Sequence, residues 1–213
     1  MTRTSRRARW WLAASIAVAA SVTARLPAQA GTPAAPAAAT TCVACHGAQG
    51  AGSASGVPRL AGQNAQYLEH ALSTFKAGTR TSSIMQAVAS GLSDAEMHDL
   101  AIWFAGLHSA RAPAAAPPAG PVRTGKELAE VGAVSDPMPP CFSCHGIGGR
   151  GDSPRFPNLA GQPAAYVISR LHEFQARARA KTPDPLTMTD VAAHLNEVQV
   201  TQVAAYLATL PPP

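Results

Sequence analysis

The chain has 213 residues, seventeen of them basic and twelve acidic, for a formal charge of +5 and a pI near 9.4. The excess is local: Arg3, Arg6, Arg7, Arg9 and Arg25 lie in the first 30 residues with no acidic residue among them, so the remainder carries twelve charges of each sign. That balance excludes a nucleic-acid binder argued from charge, and the length suits one large or two small domains.

Four arginines precede an apolar run from Trp10 to Ala24, and Ala28-Gln29-Ala30 supplies a small-x-small cleavage site. The pattern predicts a secretory signal peptide over residues 1–30 and a periplasmic mature protein starting at Gly31. An uncleaved anchor is the alternative, and the run is short for one. Residues 31–40 form a Pro/Ala-rich segment.

Two copies of one motif follow, Cys42-Val43-Ala44-Cys45-His46 and Cys141-Phe142-Ser143-Cys144-His145. C-x-x-C-H attaches c-type haem. Thiols three apart on a helical turn share a face and can form thioethers to one porphyrin. The next residue then offers its imidazole to the iron. Zinc, a redox dithiol or disulfides would also use paired cysteines, but none accounts for a histidine after both pairs. The expected cofactors are two covalent haem c groups, on Cys42 and Cys45 and on Cys141 and Cys144, with His46 and His145 as iron ligands.

The motifs head an internal duplication. A shift of 99 residues superposes Pro58-Arg59-Leu60-Ala61-Gly62-Gln63 on Pro157-Asn158-Leu159-Ala160-Gly161-Gln162, then Tyr67 on Tyr166, Phe75 on Phe174 and Arg80 on Arg179. Beyond a four-residue insertion around Lys181 to Pro185, Met85 meets Met188 and Leu107 meets Leu210. The expected domains are residues 41–108 and 122–213. Residues 109–121, with four prolines, read as a semi-stiff linker.

Each half reads as helices joined by loops. Tyr67, Ala71, Leu72 and Phe75 share a helical face, as do Tyr166, Leu171 and Phe174. Ser93 with Glu96, and Asn196 with Gln199, open a final helix with a capping box. A short helix is expected over Glu127 to Val134. Strand alternation is lacking, so the expected class is all-α. Halves this small are marginal as bare cores, and a haem adds apolar volume.

The sixth iron ligand sorts electron transfer from small-molecule chemistry. No histidine outside the motifs recurs under the duplication. Met97 lies on an apolar helical face, and Met138 stands just before its own motif. Met85 and Met188 alone recur, each expected in a loop before the last helix, and are the candidate axial ligands. Pro58 and Pro157 each follow the motif histidine by twelve residues, where a carbonyl could orient the ring through Nδ1–H; a plain turn proline is the alternative. Arg80 and Arg179 are candidates to pair with a haem propionate, against a solvated role.

With these residues in view, each half resembles a class I cytochrome c, and the pair resembles the di-haem cytochrome c4 family over nearly the whole mature chain. The resemblance rests on C-x-x-C-H-G and P-x-L-A-G-Q in both halves, Phe75-Lys76-Ala77-Gly78-Thr79-Arg80 leading to Met85, and Leu92-Ser93-Asp94 opening a helix that ends in Ala101-Ile102-Trp103-Phe104. It implies two tandem domains, each wrapped around one haem with His/Met ligation. It also implies a periplasmic carrier, free or loosely membrane-associated, between a quinol-oxidising complex or dehydrogenase and a terminal oxidase. The chain departs from the family in a short N-terminal segment, a long proline-rich linker, and Arg177 where the first half has Gly78.

Three functions stand. The first is a two-haem carrier with redox proteins as partners, no nucleic acid, and no catalytic residue of its own. The second is the cytochrome subunit of a periplasmic dehydrogenase oxidising sulfide or an alcohol. The third is a di-haem enzyme such as a peroxidase or a thiosulfate-oxidising cytochrome, which needs an open sixth site. Each mature half sums to zero formal charge, four against four over residues 31–120 and eight against eight from Pro121 onward, so strong electrostatic steering is not expected.

Overall fold

The computed structural model describes residues 34–110, 114–133 and 138–213. The expected signal peptide lies outside them. The described residues are helical and irregular, with two isolated bridges and no strand. None of their helices is long and apolar enough to cross a membrane.

The first half holds α1 (Ala39–His46), α2 (Ala65–Lys76), α3 (Ser83–Ser90) and α4 (Asp94–Ala105). The second holds α5 (Ala119–Glu130), α6 (Cys141–His145), α7 (Ala164–Ala180), α8 (Met188–Ala193) and α9 (Glu197–Thr209). Both capping boxes form: Ser93 Oγ accepts the Glu96 N–H while Glu96 accepts the Ser93 N–H, and Asn196 and Gln199 do the same. These caps fix where α4 and α9 begin. Their apolar faces build the two cores, Leu68, Leu100, Ala101, Trp103, Phe104 and Leu107 in one and Val167, Leu171, Val200, Val203, Ala204 and Leu207 in the other.

Two elements differ from the sequence reading, and the halves differ from each other in a third. The helix expected over Glu127 to Val134 instead runs from Ala119 to Glu130, beginning inside the expected linker. Pro118 caps it and Pro121 sits in its first turn, where a missing N–H breaks no helical bond. It crosses α9 closely: a Cβ on Gly125 would stand 2.0 Å from the Gln202 carbonyl oxygen. The second difference is that Met85 and Met188 lie in first turns of helix, not in loops. Ser82 accepts the Met85 N–H and Thr187 accepts the Asp190 N–H, so hydroxyl caps start α3 and α8 there. The halves differ from each other in helix length. Gly78, at φ +73°, follows the last turn of α2. Arg177 stands in its place in the second half, and α7 continues to Ala180.

The halves pack against each other through reciprocal contacts. Gln63 Nε2 donates to the Asn158 carbonyl at 3.0 Å, and Gln162 Nε2 donates to the Arg59 carbonyl at 3.0 Å. Arg80 Nη2 donates to the Tyr166 hydroxyl at 3.1 Å. The C-terminal Pro213 closes on Gly62, 2.8 Å from where a Cβ would stand.

Candidate functional site

The motif cysteines lie on α1 and α6, with Cys42 and Cys141 packed against the cores. Burial pushes the Cys42 thiol up, and the Cys141 thiol up to about 11.

His46 and His145, 7% and 5% exposed, are the buried histidines among the described residues. Each is held at two points. The His46 carbonyl accepts the Gly52 N–H at 2.8 Å, and its ring Nδ1–H donates to the Pro58 carbonyl at 2.8 Å. His145 repeats both bonds with Gly151 and Pro157, each at 2.8 Å. The loop can return this closely because Gly52 and Gly151 take φ of +77° and +83°, and a Cβ there would meet the backbone N of Arg59 or Asn158 within 3 Å. The ring of Phe156 stands edge-on to His145 at 6.0 Å. Burial lowers both histidine pKa values against the opposing pull of the carbonyl bond, favouring neutral rings that can ligate metal through Nε2. His145 Nε2 is buried without a hydrogen-bond partner.

Met85 and Met188 are both half-buried, and Met188 packs against the core of the second half. Met97 and Met138, 3% and 4% exposed, are core. Of the other histidines, His98 pairs with Glu69 at 3.0 Å and His172 with Glu197 at 2.9 Å, while His70 and His108 are exposed.

The two candidate propionate partners part company. Arg80 follows the left-handed turn at Gly78, folds back over the Phe75 ring at 4.6 Å, and reaches Tyr166. Its Nε is buried with no acceptor. Arg179 is still on α7, exposed, because the helix does not break where α2 does. Arg170 and Arg177 stack over Phe174 instead, at 5.2 and 5.6 Å, and Arg170 pairs with Glu173. The sequence did hold a signal for Arg170: Tyr166, Arg170 and Phe174 are spaced by four and share one helical face.

The cytochrome c family profile matches residues 31–107 and again residues 123–211. The chain belongs to the cytochrome c4 family of di-haem cytochromes. It is 38% identical over 179 residues to the thiosulfate dehydrogenase electron acceptor of Thiomonas intermedia, covering 84% of this chain and 82% of that protein. Cytochrome c4 of Azotobacter vinelandii is 32% identical over 182 residues, covering 81% and 85%. The crystal structure of reduced recombinant cytochrome c4 from Pseudomonas stutzeri superposes with a TM-score of 0.72 at 30% identity, covering 81% of this chain and 94% of that one.

This di-haem cytochrome carries two covalent haem c groups, one on each C-x-x-C-H motif. The side chains present suit them. Paired cysteines precede a buried imidazole whose Nδ1 is already engaged, and in the second half its Nε2 is left free for iron. An orphaned buried guanidinium N–H suits an anionic propionate. Its chemistry is one-electron transfer in a two-domain, all-α carrier.

Proposed function

We propose that this cytochrome is a periplasmic shuttle that takes electrons from a thiosulfate-oxidising dehydrogenase and delivers them to a terminal oxidase or an equivalent acceptor. The observation that carries the reading is the likeness to the Thiomonas intermedia electron acceptor, which spans both halves and both motifs. In this reading His46 and Met85 would hold one iron and His145 and Met188 the other. Pro58 and Pro157 fix the histidine rings, and Arg80 meets a propionate. The haem supplies the exchangeable electron. The protein's part would be to keep the iron ligated by the histidine and methionine in either redox state and to exclude water from it. Because each half is electrically neutral in formal charge, docking rests on short-range fit and depends only modestly on salt.

The test mixes oxidised holoprotein with thiosulfate, with and without a thiosulfate-oxidising dehydrogenase, and follows haem reduction by stopped flow. Reduction only when the dehydrogenase is present is the expected result. Reduction by thiosulfate alone would make the chain an enzyme, and reduction only by a quinol-oxidising complex would give it a different donor. Two low-spin ferric spectra with no carbon monoxide shift are expected from closed sixth sites. A high-spin fraction would overturn one methionine assignment.

A further inference from the structure

In each half the peptide group that orients the motif histidine is gripped by a glutamine of the other half. The Pro58 carbonyl accepts the His46 Nδ1–H at 2.8 Å. The N–H of that same peptide group, on Arg59, donates to Gln162 Oε1 at 3.0 Å. Gln162 Nε2 then donates to the next carbonyl, that of Arg59, at 3.0 Å. The mirror set joins His145 to the Pro157 carbonyl at 2.8 Å, the Asn158 N–H to Gln63 Oε1 at 2.9 Å, and Gln63 Nε2 to the Asn158 carbonyl at 3.0 Å. Both glutamines are 4% exposed. Only this amide orientation satisfies both backbone groups.

We propose that Gln63 and Gln162 are positioning residues acting crosswise, each setting the electron-donating strength of the histidine in the opposite half and so the potential of the opposite haem. This rests on His46 and His145 being the proximal ligands. The physical step is short. A peptide group is one conjugated unit, so an acceptor on its N–H draws density toward its carbonyl oxygen. A stronger acceptor on Nδ1–H makes the imidazole more electron-rich toward iron, which favours the ferric state.

The two grips are unequal. Gln63 Oε1 is shared, since it also accepts the Asn64 N–H at 2.9 Å. Gln162 is followed by Pro163, which has no N–H, so its oxygen serves Arg59 without that competitor. The first half's haem therefore feels its distant glutamine more than the second half's haem does.

The test uses holoprotein with Gln162→Met or Gln63→Met, and measures both haem potentials. Each haem is assigned by its paramagnetically shifted NMR signals, and the histidine Nδ1–H resonances are followed as well. Gln162→Met is expected to raise the potential of the His46 haem alone. The ferrous-to-ferric ratio at fixed ambient potential should rise by a factor of about 1.3 to 4.5, if cooperativity is 10–30% of a bond to a charged group. The His46 Nδ1–H should move in the direction of a weaker hydrogen bond. Gln63→Met should do the same to the His145 haem, less strongly. Gln162→Glu keeps an acceptor on the Arg59 N–H and should move the His46 haem the opposite way from Gln162→Met. A purely structural role predicts another pattern: loosening the interface admits water, lowers both potentials and leaves the Nδ1–H signals in step. That result, or no change, overturns the proposal. If the proximal assignment itself is at fault, the wild type will lack paramagnetically shifted His46 and His145 ring signals.

Discussion

Arg59 is 1% exposed, and its hydrogen-bond acceptors are three carbonyls, with no carboxylate among them: Nε to Ala61 at 2.9 Å, Nη2 to Ser109 at 2.7 Å and Nη1 to Ala110 at 3.2 Å. It ties the chain leaving α4 to the loop that carries Pro58. The second half has Asn158 at the equivalent place, and its side chain bonds only locally, to Ala160. Arg59→Asn should keep the local bond and lose the two at Ser109 and Ala110. Bonds to a charged group are worth about 1.5–3 kcal/mol each. Releasing a buried guanidinium, whose charged form burial disfavours, offsets part of that loss. A net destabilisation of about 2–4 kcal/mol follows, with easier proteolysis after Ser109. Urea unfolding of the holoprotein by far-ultraviolet circular dichroism, with a timed protease digest, measures both. A change below about 0.5 kcal/mol, with an unaltered digest, would refute the idea that Arg59 clamps the linker.

Gly125→Ala forces a methyl onto the Gln202 backbone, which cannot retreat, so α5 must leave α9 at a cost of about 3 kcal/mol; a thermal melt of the second half reads it. Tyr206 donates to Glu130 at 2.9 Å across the same crossing, and burial with that carboxylate pushes its phenol up to about 12. Tyr206→Phe should cost about 1–2 kcal/mol at neutral pH, a loss present below the ordinary phenol pKa and gone as pH rises through the folded value. The Ser93 N–H and hydroxyl hold the Glu96 carboxyl below the usual carboxylate range. Its contribution to the cap is therefore present above the ordinary carboxylate pKa and fades as pH falls through the depressed one. The Asn196–Gln199 box has no such group, so the protection of amides at the start of α4 against exchange, relative to their intrinsic rate, should fall in acid while that of α9 does not.

The features legible in the sequence are those set by local spacing. Both haem motifs, the duplication and both capping boxes depend on residues within a few positions of each other or on recurrence along the chain. The histidine-to-proline bonds join residues twelve apart, and the repeat of that spacing brought them within reach of sequence reasoning. The fate of Arg179 was hidden because one glycine decides whether a helix stops, and the duplication aligns residues without aligning that stop. Gln63 and Gln162 were visible as repeated letters in P-x-L-A-G-Q, but their partners are 95 and 103 residues away in the other half, and no local spacing pairs residues so far apart.

The charge balance explains why such an interface takes this form. Two halves of zero net formal charge have little long-range attraction to guide them together. Their relative orientation must then come from short, directional contacts. Four amide-to-backbone bonds, paired reciprocally and sealed from solvent, supply that orientation without ions that salt would screen. Separating the halves would leave the Arg59 and Asn158 peptide groups without those partners, beside the histidines they orient. The same four bonds thus both join the halves and hold the peptide groups that the two histidines use, so a measurement at each histidine separates these two roles.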